Sequence, residues 1–172
     1  MKEINKEKFI KENNLPEIGS RITVAMSGGV DSSVTAALLK YIGYEVIGVT
    51  MKLYEAANQK KSKTCCSGVD IADAKSVAKK LNIKHYIIDY KEKFKESVID
   101  KFVNSYIDGQ TPIPCILCNQ TVKFTDLIEF TKLLKSPILA TGHYVKRIEN
   151  GDDINLYQAD DGLKDQSYFL FA

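Results

Sequence analysis

The chain has 172 residues, of which 44% are hydrophobic and 27% are charged. This length and composition fit one domain with a core of ordinary size, and they exclude a low-complexity protein. The net charge of +2 excludes a uniformly basic surface, so any nucleic-acid site has to be a local patch.

The first twenty residues are charged throughout and lack the apolar core of a signal peptide. The chain also lacks a run of about 18 apolar residues, so no membrane span is expected and the protein is predicted to be cytoplasmic. Residues 1–20 are predicted to be a polar surface extension, because Pro16 and Gly19 end any short helix before the first strand.

The segment Arg21–Tyr41 predicts a buried strand, a glycine loop and a helix. The two glycines of Ser27–Gly29 end the strand, and Asp31 lies at the start of a helix that Gly43 ends. Such a helix start presents unpaired backbone N–H groups and a partial positive charge to one point, which suits a phosphate group. The loop lacks the lysine of a Walker A sequence, and a plain strand-to-helix turn is the alternative.

The rest of the chain continues the alternation of strands and helices. Strands are predicted at Tyr44–Met51, Lys84–Asp89 and Pro137–Thr141, and helices at 70–81, 94–106 and 119–134. The helix at 94–106 carries an apolar stripe that predicts core packing, and the one at 119–134 is expected to turn Phe124, Leu127, Ile128 and Leu134 inward. A hairpin is predicted between Tyr144–Arg147 and Leu156–Gln158, and another helix is predicted to begin at Lys164–Ser167.

This order predicts an α/β fold: a doubly wound, mainly parallel sheet with helices on both faces. Ligands of such sheets bind at the carboxyl ends of the strands, where Met51 and Gly142 fall. The polar segment Lys52–Gly68 is predicted to be a loop over that edge.

Cys115 and Cys118 lie in a loop that Pro112 and Pro114 stiffen, and the next helix is predicted to start near Asn119. A helix dipole would favour the thiolate form of a cysteine just before it. The residues alone leave four interpretations open: two ligands of a zinc or iron–sulfur site, a redox pair, a sulfur-carrying nucleophile, or two inert cysteines. The other two cysteines, Cys65 and Cys66, receive no role.

Five motifs occur in order along the chain: SGGVDSS, VTMK, TPIPCILCNQTVKF, ATGHY and KDQSYFL. Together they closely resemble the tRNA-specific 2-thiouridylases of the PP-loop ATP pyrophosphatase superfamily, from about Arg21 to the last residue. Those enzymes convert the wobble uridine of certain tRNAs to 2-thiouridine. The resemblance implies ATP and magnesium as cofactors, tRNA as the substrate and a persulfide-carrying protein as the sulfur donor.

The resemblance also implies roles for individual residues. The residues that would hold ATP are Ala25, Met26, Ser27, Gly28, Gly29, Val30, Asp31, Ser32, Met51 and Gly142, with Asp31 near a magnesium ion. The residues that would contact tRNA are Ile113, Pro114, Cys115, His143, Lys164, Asp165 and Gln166. Cys118 matches the first catalytic cysteine of the family.

In the implied reaction, adenylation turns the C2 oxygen of uracil into a leaving group, and a persulfide sulfur replaces it. Cys118 would resolve the persulfide or attack directly. The family often has Asn-Pro-Asp where this chain has Ile113–Cys115, so a carboxylate proposed to assist catalysis is missing here.

The expected organisation is an extension at 1–20, a PP-loop nucleotide-binding catalytic domain at 21–145, and a hairpin with the start of a truncated segment at 146–172. The second catalytic cysteine of the family lies beyond Ala172, so the chain is expected to bind ATP without completing thiolation alone. The alternatives are another PP-loop enzyme, such as a 2-thiocytidine-type tRNA thiolase or a ligase, and a catalytically inactive ATP- or tRNA-binding module.

Overall fold

The structure, a computed structural model, describes residues 5–54, 68–151 and 153–171. The helices are α1 Lys6–Glu12, α2 Val30–Ile42, α3 Gly68–Leu81, α4 Lys91–Phe94, α5 Asp100–Ile107, α6 Pro114–Leu117 and α7 Leu127–Leu133. The strands are β1 Arg21–Ala25, β2 Glu45–Lys52, β3 Lys84–Asp89, β4 Ile138–Ala140, β5 Lys146–Asn150 and β6 Asp153–Tyr157. Two π-helical segments, Lys95–Ile99 and Cys118–Asp126, join α4 to α5 and α6 to α7, and a 3₁₀ turn spans Ser167–Phe169.

Four strands form a parallel sheet in the order β3-β2-β1-β4, and β5 and β6 form a separate antiparallel hairpin. In the parallel register, Val24 of β1 lies opposite Gly48 of β2 and Ala140 of β4. Because successive side chains of a strand point to opposite faces, both faces of the sheet must be covered. The predicted doubly wound α/β fold is confirmed.

The two faces of the sheet belong to two apolar clusters. On one face, alternate residues of β1 and β2 pack against α2 and α3 in a cluster that includes Ile22, Val24, Val46, Ala36, Leu39 and Ala74. On the other face, the intervening residues pack against the helices of 91–133 in a cluster that includes Ile47, Val49, Met51, Val98, Val122 and Leu127. Helices therefore cover both faces of the sheet.

The N-terminal segment has no buried residue in α1, and some of its apolar side chains also contact the core. Phe9, Ile10 and Leu15 pack half-buried against the core cluster of β1 and α2. The hydroxyl of Tyr44 also donates a 2.7 Å hydrogen bond to the carbonyl of Pro16. The apolar residues of α1, too few for a core of their own, therefore gain partial burial by packing on this cluster.

The helical region 91–107 departs from its predicted stripe. Val98 is buried, but Ile99, Val103 and Tyr106 are 40%, 47% and 55% exposed. The π-helical segment Lys95–Ile99 closes wider hydrogen-bonded rings than an α-helix does, and this rotates the later residues away from the face that Val98 occupies. An ideal α-helical period therefore assigns these side chains to the wrong face.

The helix predicted to start near Asn119 begins at Pro114, with Ile113 as its N-cap residue. Proline suits the first helical position, because its fixed φ is helical and its missing N–H would have no partner there. Cys118 consequently lies in the second turn and not before the helix, so the argument from the helix dipole does not apply to it.

The same helix contains the π-helical segment Cys118–Asp126, in which the N–H of Leu127 donates to the carbonyl of Val122. Its buried side chains are Cys118, Asn119 and Val122, and then Leu127 and Thr131 of α7. The step of five residues from Val122 to Leu127 follows from the wider ring. Ile128, predicted to face inward, is 37% exposed for the same reason.

The C-terminal region contains the predicted hairpin, but its first strand begins two residues later than predicted and its second strand begins three residues earlier. The helix predicted from Lys164 is a single 3₁₀ turn at Ser167–Phe169. Asp165 accepts hydrogen bonds from the N–H of Ala159 and the hydroxyl of Ser167, so its carboxylate closes a local turn. Within the described ranges, no helix combines the length and the apolar character that crossing a membrane requires.

Candidate functional site

The glycine loop between β1 and α2 is shaped by its own backbone and hydroxyl groups. The N–H of Met26 donates to the carbonyl of Val49 at 2.8 Å, which continues the sheet by one residue. The N–H of Ser27 then donates to the buried hydroxyl oxygen of Ser32 at 3.2 Å. Gly29 is the N-cap residue of α2 and supplies no side-chain cap. The first turn of α2 therefore offers its backbone N–H groups to an anion.

Two glycines hold this loop against its neighbours. Gly28 has a φ of +82°, and a Cβ there would lie 2.2 Å from the backbone oxygen of Asp70 in α3. A Cβ at Gly142, just after β4, would lie 2.7 Å from the backbone nitrogen of Ser32. Only a residue without a side chain allows these two approaches, and both place backbone beside the start of α2.

Asp31 lies in the first turn of α2, and its side chain faces the segment that follows β4. The hydroxyl of Tyr144 donates a 2.7 Å hydrogen bond to Oδ1 of Asp31. This hydrogen bond is the main reason why the pKa of Tyr144 is raised above its ordinary value. No role was predicted for Tyr144 from the sequence. Its position in the ATGHY motif, just after a strand of the parallel sheet, could have indicated that it lies near the site.

The segment Lys164–Gln166 lies against Tyr144. The backbone N–H of Tyr144 donates to Oε1 of Gln166, and the N–H of Gln166 donates to the carbonyl of Tyr144, both at 2.9 Å. Nζ of Lys164 lies 5.1 Å from the centroid of the Tyr144 ring. The carboxyl pKa of Asp165 is lowered, chiefly by the hydrogen bond from the Ser167 hydroxyl.

A cavity of about 330 Å³ lies where these groups meet. Its lining consists of Asp31, Tyr144, Leu163, Lys164, Asp165, Gln166, Tyr168 and Phe169. A second cavity, of about 520 Å³, lies on the other side of the glycine loop between α2 and α3, where Gly28, Ser33 and Lys80 contribute to the wall. The structure thus brings Asp31 of the predicted ATP site to the three predicted tRNA contacts near the C-terminus.

His143 is half-buried between two aromatic rings. The centroids of Phe124 and Phe169 each lie 6.1 Å from that of its imidazole, and Nδ1 forms a 2.9 Å hydrogen bond with the hydroxyl of Thr141. Burial, and secondarily the charge of Lys123, lowers the pKa of His143 from 6.5 to about 4. The imidazole is therefore neutral at physiological pH and offers hydrogen bonds or ring contacts instead of a charge.

We expect His143 to make folding stability fall as the pH falls from 6.5 towards 4. The unfolded chain binds a proton at the ordinary pKa of 6.5, whereas the folded imidazole resists it down to about 4. Urea unfolding of the wild type and of His143→Asn at several pH values tests this, and the decline over that range should be shallower in the variant. Parallel profiles would show that the protonation of His143 is not linked to folding.

The predicted residues of the cysteine loop separate into exposed and buried positions. Ile113 and Cys115 are exposed at the start of α6. Cys118 is only 8% exposed and packs in the apolar cluster that also contains Met51. The side-chain amide of Asn119 donates to the carbonyl of Phe169 at 3.2 Å, and its buried Oδ1 has no partner among the described residues. Asn119, the residue after Cys118, is therefore hydrogen-bonded to the C-terminal segment.

Cys65, Cys66 and most of the predicted loop at 52–68 lie outside the described residues. Within the ranges that the structure describes, no three histidine, cysteine, aspartate or glutamate side chains come together as a metal-binding group.

Several curated proteins are similar to this chain. The tRNA-specific 2-thiouridylase MnmA of Orientia tsutsugamushi (strain Boryong) is 60% identical over 154 residues, which are 88% of this chain and 41% of that protein. The protein of the same name from Zymomonas mobilis is 55% identical and is matched over 91% of this chain and 43% of its own length. The chain thus spans about two fifths of the length of these curated relatives.

Solved structures share the fold at low sequence identity. The NH3-dependent NAD synthetase of Campylobacter jejuni has a TM-score of 0.52 at 21% identity, over 80% of this chain and 55% of that chain. The glutamine-dependent NAD+ synthetase of Acinetobacter baumannii has a TM-score of 0.51 at 17% identity, over 80% of this chain and 24% of that chain. The family model described as the tRNA methyl transferase HUP domain matches residues 20–172, and the chain belongs to that family.

Proposed function

We propose that this chain is the ATP-binding, catalytic part of a tRNA uridine 2-sulfurtransferase. The curated relatives that are 55–60% identical to it carry the name tRNA-specific 2-thiouridylase. The proposed reaction replaces the C2 oxygen of the wobble uridine with sulfur and releases AMP and pyrophosphate, and we propose that it takes place in the cytoplasm.

The glycine loop has the properties that a nucleotide phosphate requires. The start of α2 has no side-chain cap, so its N–H groups and the helix dipole are open to an anion. Gly28 and Gly142 let the backbone of Asp70 and of Ser32 approach so closely that a Cβ at either glycine would clash, and this packing fixes the shape of the loop. When bound, ATP supplies an adenylyl group that converts the uracil oxygen into a leaving group. The residues proposed to hold it are Ala25–Ser32, Met51 and Gly142.

Asp31 suits a magnesium ion shared with those phosphates. Its carboxylate is exposed beside the loop, and Tyr144 occupies only Oδ1. Magnesium in nucleotide sites is commonly held by one or two carboxylates together with phosphate oxygens and water, so a single aspartate fits.

The proposed tRNA contacts come from two segments of the chain and from His143. Lys164, Asp165 and Gln166 border the cavity that contains Asp31. Ile113 and Cys115 are exposed at the start of α6, on the helix that carries Cys118, and we propose that they and Pro114 approach the target base. His143, neutral and half-buried, would present ring atoms or a hydrogen bond to the RNA.

Cys118 is the proposed catalytic thiol, which would receive sulfur from a persulfide-carrying partner protein or resolve that persulfide. In the structure it is packed against the sheet with Val122 and Leu127. We therefore propose that this part of the helix must move before a sulfur donor reaches Cys118. Exposed Cys115 stands one turn earlier and is the first thiol of the pair that a partner would meet.

The observation that carries the proposal is the uncapped start of α2 with Asp31, beside a cavity bordered by Lys164–Gln166. Single-turnover assays with labelled ATP, magnesium and a tRNA transcript with uridine at the wobble position test it. We expect pyrophosphate release and transfer of the labelled adenylyl group to this transcript, neither with a transcript that carries cytidine there, and a large loss in Asp31→Asn. Pyrophosphate release that ignores the wobble base would contradict the proposal, and ATP binding without pyrophosphate release would favour an inactive binding module.

A further inference from the structure

Tyr144 joins the glycine loop to the C-terminal segment by three separate contacts. Its hydroxyl donates to Oδ1 of Asp31 at 2.7 Å. Its backbone N–H and carbonyl are both bonded to Gln166 at 2.9 Å, and its ring lies under Nζ of Lys164. A displacement of Lys164–Gln166 would therefore move Tyr144, and with it the donor that holds Asp31.

The hydrogen bond to Asp31 is of the strong kind, because its acceptor is a carboxylate and its length is short. It fixes the rotation of the carboxylate, occupies Oδ1 and leaves the other oxygen available. An exposed aspartate without this donor would sample several rotamers, and a cation bridging to phosphate would have to restrict them. Holding the side chain beforehand removes that entropic cost from binding.

Resting on the function proposed above, we infer that Tyr144 is a positioning residue that orients Asp31 for magnesium–nucleotide binding and links that site to the Lys164–Gln166 segment. The segment is the proposed tRNA contact, so the link would make nucleotide binding and RNA binding depend on each other. Coupling of this kind is reciprocal by thermodynamic necessity.

The test measures the affinity of the chain for a non-hydrolysable ATP analogue by calorimetry, with magnesium and with EDTA. The variants are Tyr144→Phe, Gln166→Ala and the double variant, and the matched control is Tyr157→Phe, a partly exposed tyrosine of β6. With magnesium, we expect Tyr144→Phe to weaken binding about tenfold, the change typical of a lost hydrogen bond to a charged group. With EDTA, the affinity of Tyr144→Phe for the analogue should equal that of the wild type.

The double variant tests the link itself. If Gln166 acts through Tyr144, Gln166→Ala lowers the affinity for the analogue when it is the only substitution. It should lower the affinity little further when Tyr144→Phe is already present. Additive losses would overturn the link, and a Tyr144→Phe variant with wild-type affinity in magnesium would overturn the positioning role. An equal loss of affinity in magnesium and in EDTA would also overturn it, because a general structural defect does not depend on the metal.

A wild type that does not bind the analogue would refute the proposed function, and a second measurement then decides the inference. Thermal unfolding of Tyr144→Phe, Asp31→Ala and the double variant measures the coupling of the two side chains. We expect Tyr144→Phe to lower the Tm by about 3 °C in the wild type and by almost nothing when Asp31 is already alanine. Equal shifts in the two backgrounds would show that the hydrogen bond positions nothing.

Discussion

Replacing Gly28 with alanine is expected to abolish measurable ATP binding and to destabilise the fold. The backbone of Gly28 has a φ of +82°, and left-handed backbone costs a residue with a Cβ about 1–2 kcal/mol. The new Cβ would also lie 2.2 Å from the backbone oxygen of Asp70, so the loop and the start of α3 have to separate. Calorimetric titration with an ATP analogue and urea unfolding measure the two effects.

Gly162→Ala is the matched control, because a Cβ at Gly162 would project into open space and its backbone is not left-handed. It should bind and unfold like the wild type. If Gly28→Ala does not fold, Gly142→Ala gives the second measurement, since its Cβ would press on the backbone of Ser32 at 2.7 Å. Wild-type affinity in both variants would show that this loop does not hold the nucleotide.

Replacing Leu127 with alanine is expected to cost about 2–5 kcal/mol of unfolding free energy. Leu127 is 1% exposed and packs in the cluster that contains Cys118 and Val122, so the substitution leaves a cavity beside the thiol. We therefore also expect faster alkylation of Cys118, measured for each cysteine by mass spectrometry. Leu133 on the same helix is 79% exposed, and Leu133→Ala should change neither quantity by much.

Slow alkylation of Cys118 in the wild type, relative to exposed Cys115, is part of the same expectation. A Cys118 that reacts as fast as Cys115 would contradict its burial. A Leu127→Ala variant as stable as the wild type would show that the helix does not pack on the sheet as described.

The sequence was most informative where local chemistry and the global fold agree. The apolar, β-favouring residues of β1 and β2 predicted buried strands, and the two glycines after β1 predicted the loop. The bounds of β3, Lys84–Asp89, agree with the prediction at both ends. The formation of these elements depends mainly on residues that are close in the sequence, so a sequence pattern predicts them.

The misplaced elements depend on interactions that a pattern of fixed period does not contain. Pro114 was predicted to exclude a helix, yet a helix begins with it, because proline suits the first helical position. Cys118 therefore lies inside this helix and not before it. Tyr144 acquires its place only because Asp31, 113 residues earlier, lies beside it in the folded sheet. The motif identified the neighbourhood of the site, but the geometry was needed to show that this tyrosine joins its two halves.

The π-helical segment Cys118–Asp126 makes the length of this stretch critical. Its hydrogen-bonded rings accommodate one residue more per turn than an α-helix would, so removing a single residue between Val122 and Leu127 would let the stretch relax into a regular α-helix. Each residue of an α-helix advances the side-chain direction by about 100°, so a regular helix would place Leu127 on the side opposite to Cys118 at the present spacing, and within about 80° of it at a spacing one residue shorter. Among relatives of this chain, a regular α-helix at this place should therefore go with a spacing from the cysteine to the next buried leucine that is one residue shorter.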